Sequence, residues 1–316
     1  MNLRFLRYFG LCAPLLMLGG CSTDVFRLFH PTGPVADAEY RYTLILVGVM
    51  MLIILPTLAL TIIFPLRYRK ARKAAYAPDW SHSLGIEIAA WGVPFLITAV
   101  LIYYSFNGIY AVNPYNPKIL DSAASTATAP LKVDVISTDW QWLFIYPDQH
   151  IATIDDLVVP AGRRVDLRLT STSVMNAFYI PQVAAMMDAM PAMYTKDAFL
   201  VNKPGTFTGF SGEFSGAGFS WMHFATRVVP TADFENWVNQ VQASPKQLDY
   251  TAFQKLAQPT VNIGAKPSYF SHVAPGLFDK VVQAAMHGVV YNVPDSLTKG
   301  VADDEGKAGA KAPAHS

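Results

Sequence analysis

Cysteine is almost absent. The chain has two in 316 residues, Cys12 and Cys21, and none after position 21. The body of the protein therefore has no disulfide framework and no thiolate with which to ligate a metal. Charge is scarce as well: acidic and basic residues make up 15% of the chain against 52% hydrophobic, and the net charge is +1. A nucleic-acid partner thus has no electrostatic support. The apolar excess is concentrated early, which implies membrane spans followed by a globular domain.

The N-terminus carries a basic start (Arg4, Arg7), an apolar stretch, and the run Leu18-Gly19-Gly20-Cys21. That order favours a lipoprotein signal peptide over residues 1–20, with lipidation of Cys21, over a signal anchor with an incidental cysteine. A mature segment 21–41 follows. Residues 42–66 contain no charge and are long enough to cross a bilayer core of about 30 Å as a helix. Pro56 lies inside this stretch and is tolerated where neighbours satisfy the freed carbonyl. A second span is expected over 84–109, with Glu87 near its start and Tyr103, Tyr104, Phe106 and Tyr110 near its end, as in an interfacial belt. The connection 67–83 opens with Arg67, Arg69, Lys70, Arg72 and Lys73, which assigns it to the cytoplasm. Both chain ends then face outward, in agreement with an outer lipid anchor at Cys21.

Residues 110–129 form a linker, rich in Ala, Ser and Thr from Ser122 to Ala129. From 130 to 230 the pattern is that of short strands: LKVDVIST alternates, WQWLFIY is aromatic, and the β-branched run from Asp156 is broken by a Pro-Ala-Gly turn. Further strands are expected near 198–201, 205–210 and 219–229. This spacing predicts a Greek-key β-sandwich or barrel. Residues 231–295 return to a helical period in three segments. The tail 296–316 has the composition of a disordered segment.

Several strings are more specific. Trp80-Ser81-His82-Ser83 precedes Glu87 and Trp91. Ser137-Thr138-Asp139-Trp140-Gln141-Trp142, Ser173-Val174-Met175-Asn176-Ala177-Phe178 and Ser215-Gly216-Ala217-Gly218-Phe219-Ser220 follow in order. With the late helices they resemble subunit II of the haem–copper respiratory oxidases, and most closely the cytochrome bo-type ubiquinol oxidase branch. The resemblance implies a two-helix transmembrane hairpin, a cupredoxin-like Greek-key β-barrel and a short, aromatic-rich C-terminal helical segment.

In the cytochrome c oxidase branch this domain holds a dinuclear copper centre, CuA. Carried over by the resemblance, its ligand positions fall on Asn176, Phe214, Gly216, Gly218, Met222 and Ala225. Neither bridging cysteine nor either histidine is present there, and His223 is one place out of register. One imidazole and a thioether without thiolate cannot hold a mixed-valence copper pair. The expectation is a CuA-lacking domain with no cofactor, no catalytic residue and no metal site of its own. Trp140, at the position where the copper branch receives electrons, is read as a strand aromatic, and Asp139 as a solvated turn residue.

An acid inside a span is costly and marks function by default. The resemblance places Glu87 at the mouth of a proton channel, where it takes up protons. The alternative is an interfacial acid reaching the headgroups beside Arg72 or Lys73. His82 is read as an interface histidine. Met50, Met51 and the group Met186, Met187, Met190 and Met193, placed in a loop of the β domain, are read as apolar contacts with another subunit.

What the resemblance implies overall is a non-catalytic subunit of a proton-pumping ubiquinol oxidase in a bacterial inner membrane. Its partners would be subunit I, which bears the haems and copper, further small membrane subunits and the lipid bilayer. Ubiquinol is the substrate of the complex, with no role for cytochrome c. Two other readings stand beside it: an electron-carrying cytochrome c oxidase subunit II, opposed by the missing thiolates, and a freestanding lipoprotein with a binding β domain.

Overall fold

The computed structural model describes residues 29–69, 82–113, 115, 118–123, 129–259, 266–289 and 291. The signal segment, Cys21, most of the basic connection and the tail lie outside the described residues.

Helix α1 runs Pro34–Arg67 and α2 runs Leu84–Ala111. Both are long and apolar enough to cross a membrane. At 1.5 Å per residue, the 34 residues of α1 extend roughly 50 Å, well beyond a hydrocarbon core of about 30 Å. The helix starts eight residues before the span expected from composition, because Pro34 at its first position supplies a helical φ. Its first turns are not lipid-facing. Val35 packs with Leu120, Ala198 and Leu200, and Thr32 donates from its amide and hydroxyl to Gln182 O, each at 2.8 Å. The span is thereby welded to the globular domain. Within α1, which runs unbroken through Pro56, the carbonyls of Ile53 and Thr57 each accept a hydroxyl, from Thr57 and Thr61, at 2.7 Å. The helices meet where Gly108 leaves its face open to the Tyr42 ring. A short helix, α3 (Lys118–Ala123), interrupts the segment expected to be a plain linker.

The globular part is a β-sandwich. One sheet has the order β12-β3-β2-β1-β5-β8 and the other β4-β10-β9-β6-β7. The first comprises β1 (Leu131–Thr138), β2 (Gln141–Tyr146), β3 (Ile151–Ile154), β5 (Val165–Ser171), β8 (Thr195–Phe199) and β12 (Ser268–Phe270). The second comprises β4 (Asp156–Pro160), β6 (Asn176–Ile180), β7 (Ala184–Ala189), β9 (Gly205–Ser211) and β10 (His223–Val229). The pairs β1–β5 and β10–β4 are parallel, as crossovers between the two sheets require.

Strand β2 shows why its sequence does not alternate. Trp142, Phe144 and Tyr146 point into the sandwich, where they join Phe178 and Phe224. Leu143 and Ile145 point the other way, under the C-terminal helices. A strand covered on both faces reads as a continuous apolar run. Phe178 and Phe224 stack at 5.1 Å with planes 13° apart, and Trp142 meets both edge-on.

Helices α4 (Thr231–Gln242), α5 (Tyr250–Leu256) and α6 (Leu277–Met286) agree with the expected helical period. The segment is not purely helical, however. Its strand β12 pairs with β3, while β11 (Gln247–Leu248) pairs with β13 (His272–Val273). Two charge clusters tie it down. Arg168 forks onto Asp134 at 2.7 and 2.7 Å, reaches Asp279 at 3.1 Å, and lies 4.5 Å from the Phe278 ring centre. Buried Asp156 receives Arg227 at 2.9 and 2.6 Å and the Tyr269 hydroxyl at 2.9 Å.

Three local expectations need correction. Residues 219–221 form a 3-10 turn rather than strand, and the strand begins only at His223. Met186 and Met187 lie on strand β7, not in a loop. Trp140 sits in the β1–β2 turn at φ 78°, so it is not a strand residue.

Candidate functional site

Of the residues at the carried-over copper positions, Asn176 and Met222 both bond Ser211, and Gly216 and Gly218 lie under Trp140 at one end of the sandwich, while Ala225 alternates with the inward-facing Phe224. Strand β6 presents Asn176, β10 presents Ala225, and the turn between β9 and β10 carries Phe214, Gly216, Gly218 and Met222. Asn176 is buried, with its Nδ2 donating to Val174 O at 3.3 Å and its Oδ1 lying 3.2 Å from the Ser211 hydroxyl. Met222 is buried as well. Ala225 uses its backbone N–H to hold Asp155 O at 3.0 Å.

The Trp140 indole lies across the two glycines. A Cβ at Gly216, where φ is 116°, would lie 3.0 Å from the indole, and one at Gly218 would overlap it outright. The indole nitrogen donates to Ser215 O at 3.0 Å, which fixes the ring over the turn. Beside it, Asp139 is buried and accepts from the Ser173 hydroxyl, contrary to the expectation of a solvated residue. Sequence reasoning missed this lid, because neither the positive φ of Trp140 nor its contact with residues 76 positions further on (Gly216) leaves a local signal.

The side chains at these positions supply one thioether and one amide. His223 is exposed, with its ring 6.1 Å from that of Phe210. That donor set does not fit a dinuclear copper centre, and the indole fills the space over the turn where ligand side chains would project. Among the described residues no three His, Cys, Asp or Glu side chains are gathered as a metal site. Adding the missing carbon tests this packing. Gly218→Ala is expected to destabilise the protein by roughly 1–3 kcal/mol through overpacking and to make the Trp140 fluorescence more solvent-exposed. An unchanged melting temperature and spectrum would show that the indole does not rest there.

The same end of the sandwich is apolar and exposed. Phe214 is 80% exposed, and Val174, Met175, Met186 and Trp221 are exposed around it. Met186 lies over Gly212, whose amide donates to Ala177 O at 2.8 Å. A cluster of large exposed apolar side chains of this kind marks an interaction surface.

Glu87 lies in the first turn of α2, at the far end of the hairpin from the sandwich. Its Oε1 is 3.2 Å from His82 Nδ1, and both side chains are exposed on the isolated chain. The structure thus joins Glu87 to His82, and keeps it apart from the copper-type positions.

Two further acids were invisible in the sequence. Asp197 is buried in the sandwich, with one oxygen accepting from the Ala198 amide at 2.8 Å and the other without a partner. Burial pushes its carboxyl up to about 7. Asp155, at φ 57°, accepts from the Trp142 amide at 2.8 Å and is likewise raised by burial to about 7.

A two-helix membrane anchor bearing a cupredoxin-like sandwich, with an indole laid over the glycines of its copper-type end, defines a subunit II of the respiratory-oxidase type. Comparison with known proteins agrees. Residues 148–229 match the family described as "Cytochrome C oxidase subunit II, periplasmic domain", and residues 242–288 match "COX Aromatic Rich Motif". The cytochrome bo(3) ubiquinol oxidase subunit 2 of Pseudomonas putida is 39% identical over 282 residues, covering 88% of this chain and 86% of that protein. Ubiquinol oxidase subunit 2 of Acetobacter aceti is 39% identical over 288 residues, covering 91% and 90%. The Pseudomonas aeruginosa cytochrome bo(3) ubiquinol oxidase subunit 2 is 37% identical over 276 residues, covering 87% and 80%. The chain belongs to the ubiquinol oxidase subunit 2 family.

Proposed function

We propose that this chain is the second subunit of a proton-pumping terminal oxidase that oxidises ubiquinol and reduces dioxygen to water, and that it carries no redox centre. The observation that carries this reading is the copper-type end itself: glycines and an indole stand where a soluble electron donor would need a metal behind its docking face. A lipid-soluble quinol delivers electrons inside the bilayer, so no external docking metal is required. The chain also lacks the clustered intramembrane histidines of an oxygen-reducing site. The haems and copper then belong to subunit I, a separate chain.

The exposed apolar end around Phe214 and Trp221 is suited to cover the outer surface of subunit I, with α1 and α2 packed on that subunit's helices and further small membrane subunits nearby. The basic connection supports a cytoplasmic hairpin with both termini outside, and the leader supports a lipid anchor at Cys21. In that orientation Glu87 lies near the inner face, on the side from which protons are taken, and collects them for the partner subunit.

Oxygen uptake by the purified complex tests the donor. Rapid uptake is expected with ubiquinol and none with reduced cytochrome c. Uptake with cytochrome c would mean an electron route through this domain. Uptake with neither, from an intact preparation, would return weight to a freestanding lipoprotein.

A further inference from the structure

Where α1 and α2 approach the sandwich, a cleft of about 470 Å³ opens between them, lined by Glu39, Tyr42, Tyr104 and Tyr179, with Leu46 and Ile109 further along. Glu39 is half-buried in its wall, and among the described residues it has neither a hydrogen-bond nor an ion-pair partner. The nearest basic side chain on its helix is already taken: Arg41 holds Asp37 at 2.8 Å. An unpaired carboxylate at the edge of a membrane helix is costly unless a cation meets it. The surrounding groups are those of a headgroup zone. Tyrosines favour the membrane–water interface, their ring faces attract an ammonium, and their hydroxyls can donate to a phosphate. Beyond them the cleft becomes apolar and continues between two helices whose flanks are exposed hydrophobic side chains.

We infer that this cleft binds a phospholipid with a primary-ammonium headgroup, with the ammonium on the Glu39 carboxylate and an acyl chain along Leu46 and Ile109. The headgroup chemistry is selective. A primary ammonium donates hydrogen bonds to the carboxylate, which a quaternary choline cannot, and an anionic glycerol headgroup is repelled by Glu39. The site rests on membrane anchoring and not on the electron donor, so failure of the oxygen-uptake test leaves it standing.

Native mass spectrometry of the full-length chain in detergent, delipidated and then given phosphatidylethanolamine, phosphatidylcholine or phosphatidylglycerol, tests it directly. One phosphatidylethanolamine is expected to stay bound, with roughly tenfold weaker retention in Glu39→Gln, the loss of one charge-assisted contact. The other two lipids should be held weakly by both proteins. A second measurement needs no variant. Phosphatidylethanolamine with a photoreactive acyl chain should label the segments around Leu46 and Ile109 in the assembled complex, and the choline analogue should not. Equal retention by wild type and Glu39→Gln, equal retention of phosphatidylglycerol, or labelling only elsewhere would overturn the site and indicate that a protein group covers Glu39.

Discussion

Replacing Glu87 by alanine in the assembled oxidase is expected to lower ubiquinol-driven oxygen uptake by roughly tenfold or more, and Glu87→Asp to restore most of it, as for a group that hands on protons. The argument begins with cost. A carboxylate in the first turn of a spanning helix is kept for a reason, and its favourable interaction with the helix N-terminus is worth only about 0.3–1 kcal/mol. Its position favours function. Glu87 stands at the hairpin end opposite the sandwich and is already hydrogen-bonded to an imidazole, with His82 Nδ1 at 3.2 Å. A purely structural acid would show up in assembly, not in turnover per complex, and would not be rescued by a shorter carboxylate. The decisive comparison is therefore uptake and proton ejection per assembled complex for wild type, Glu87→Ala and Glu87→Asp. Unchanged turnover and pumping in Glu87→Ala would remove Glu87 from the proton route.

The protein should also lose stability as pH rises from about 4 to about 8, and Asp197→Asn should remove much of that loss. Burial raises the Asp197 carboxyl to about 7 in the folded chain, with Glu39 adding a smaller push, whereas an unfolded aspartate titrates near 3.9. Below about pH 4 both states are protonated and the acid contributes no penalty. As pH climbs, the unfolded chain ionises freely while the folded one resists, so stability falls until the folded acid ionises near 7. At about 1.4 kcal/mol per pH unit, the loss over the roughly three units between the two values is on the order of 4 kcal/mol. Asp155 works in the same direction. Thermal unfolding of the full-length chain in detergent at pH 5 and pH 8 reads the effect. The wild type should melt appreciably lower at pH 8, and Asp197→Asn should narrow the gap. Parallel drops in both proteins would show that Asp197 is not the group responsible.

Much of the architecture was legible because its signals are local. Residues 42–66 declare themselves as a span by length and lack of charge, 84–109 by length with Glu87 as its single charge, and the three late helices by their period. The strands β1, β2 and β5 were visible in β-branched and aromatic runs. Strand β7 was not, because its Ala, Met and Asp residues carry weak strand preference and acquire their conformation from neighbours; β6, with Phe178, Tyr179 and Ile180, is too short for a period to stand out. The absent copper ligands were legible too, once the positions were set by resemblance, since a missing thiol needs no geometry. The lid on that site was not: Trp140 reaches Gly216 and Gly218 only after β1, β2, β9 and β10 are assembled.

By itself, then, the sequence determined composition-level properties: a thiol-free body, two membrane-length apolar runs with basic residues between them, and a strand-rich region followed by helices. These follow from transfer free energies and backbone preferences that act residue by residue. Only the tertiary structure decided that α1 begins ahead of its apolar run and joins the sandwich through Val35 and the preceding Thr32, that Asp197 is sealed in with an oxygen unmatched, and that Glu39 faces a cleft without a counter-charge among the described residues. Those outcomes depend on which distant groups share a dielectric environment and a few ångströms of space. Burial and electrostatic partnership arise between segments, and no window of sequence contains both sides of the contact.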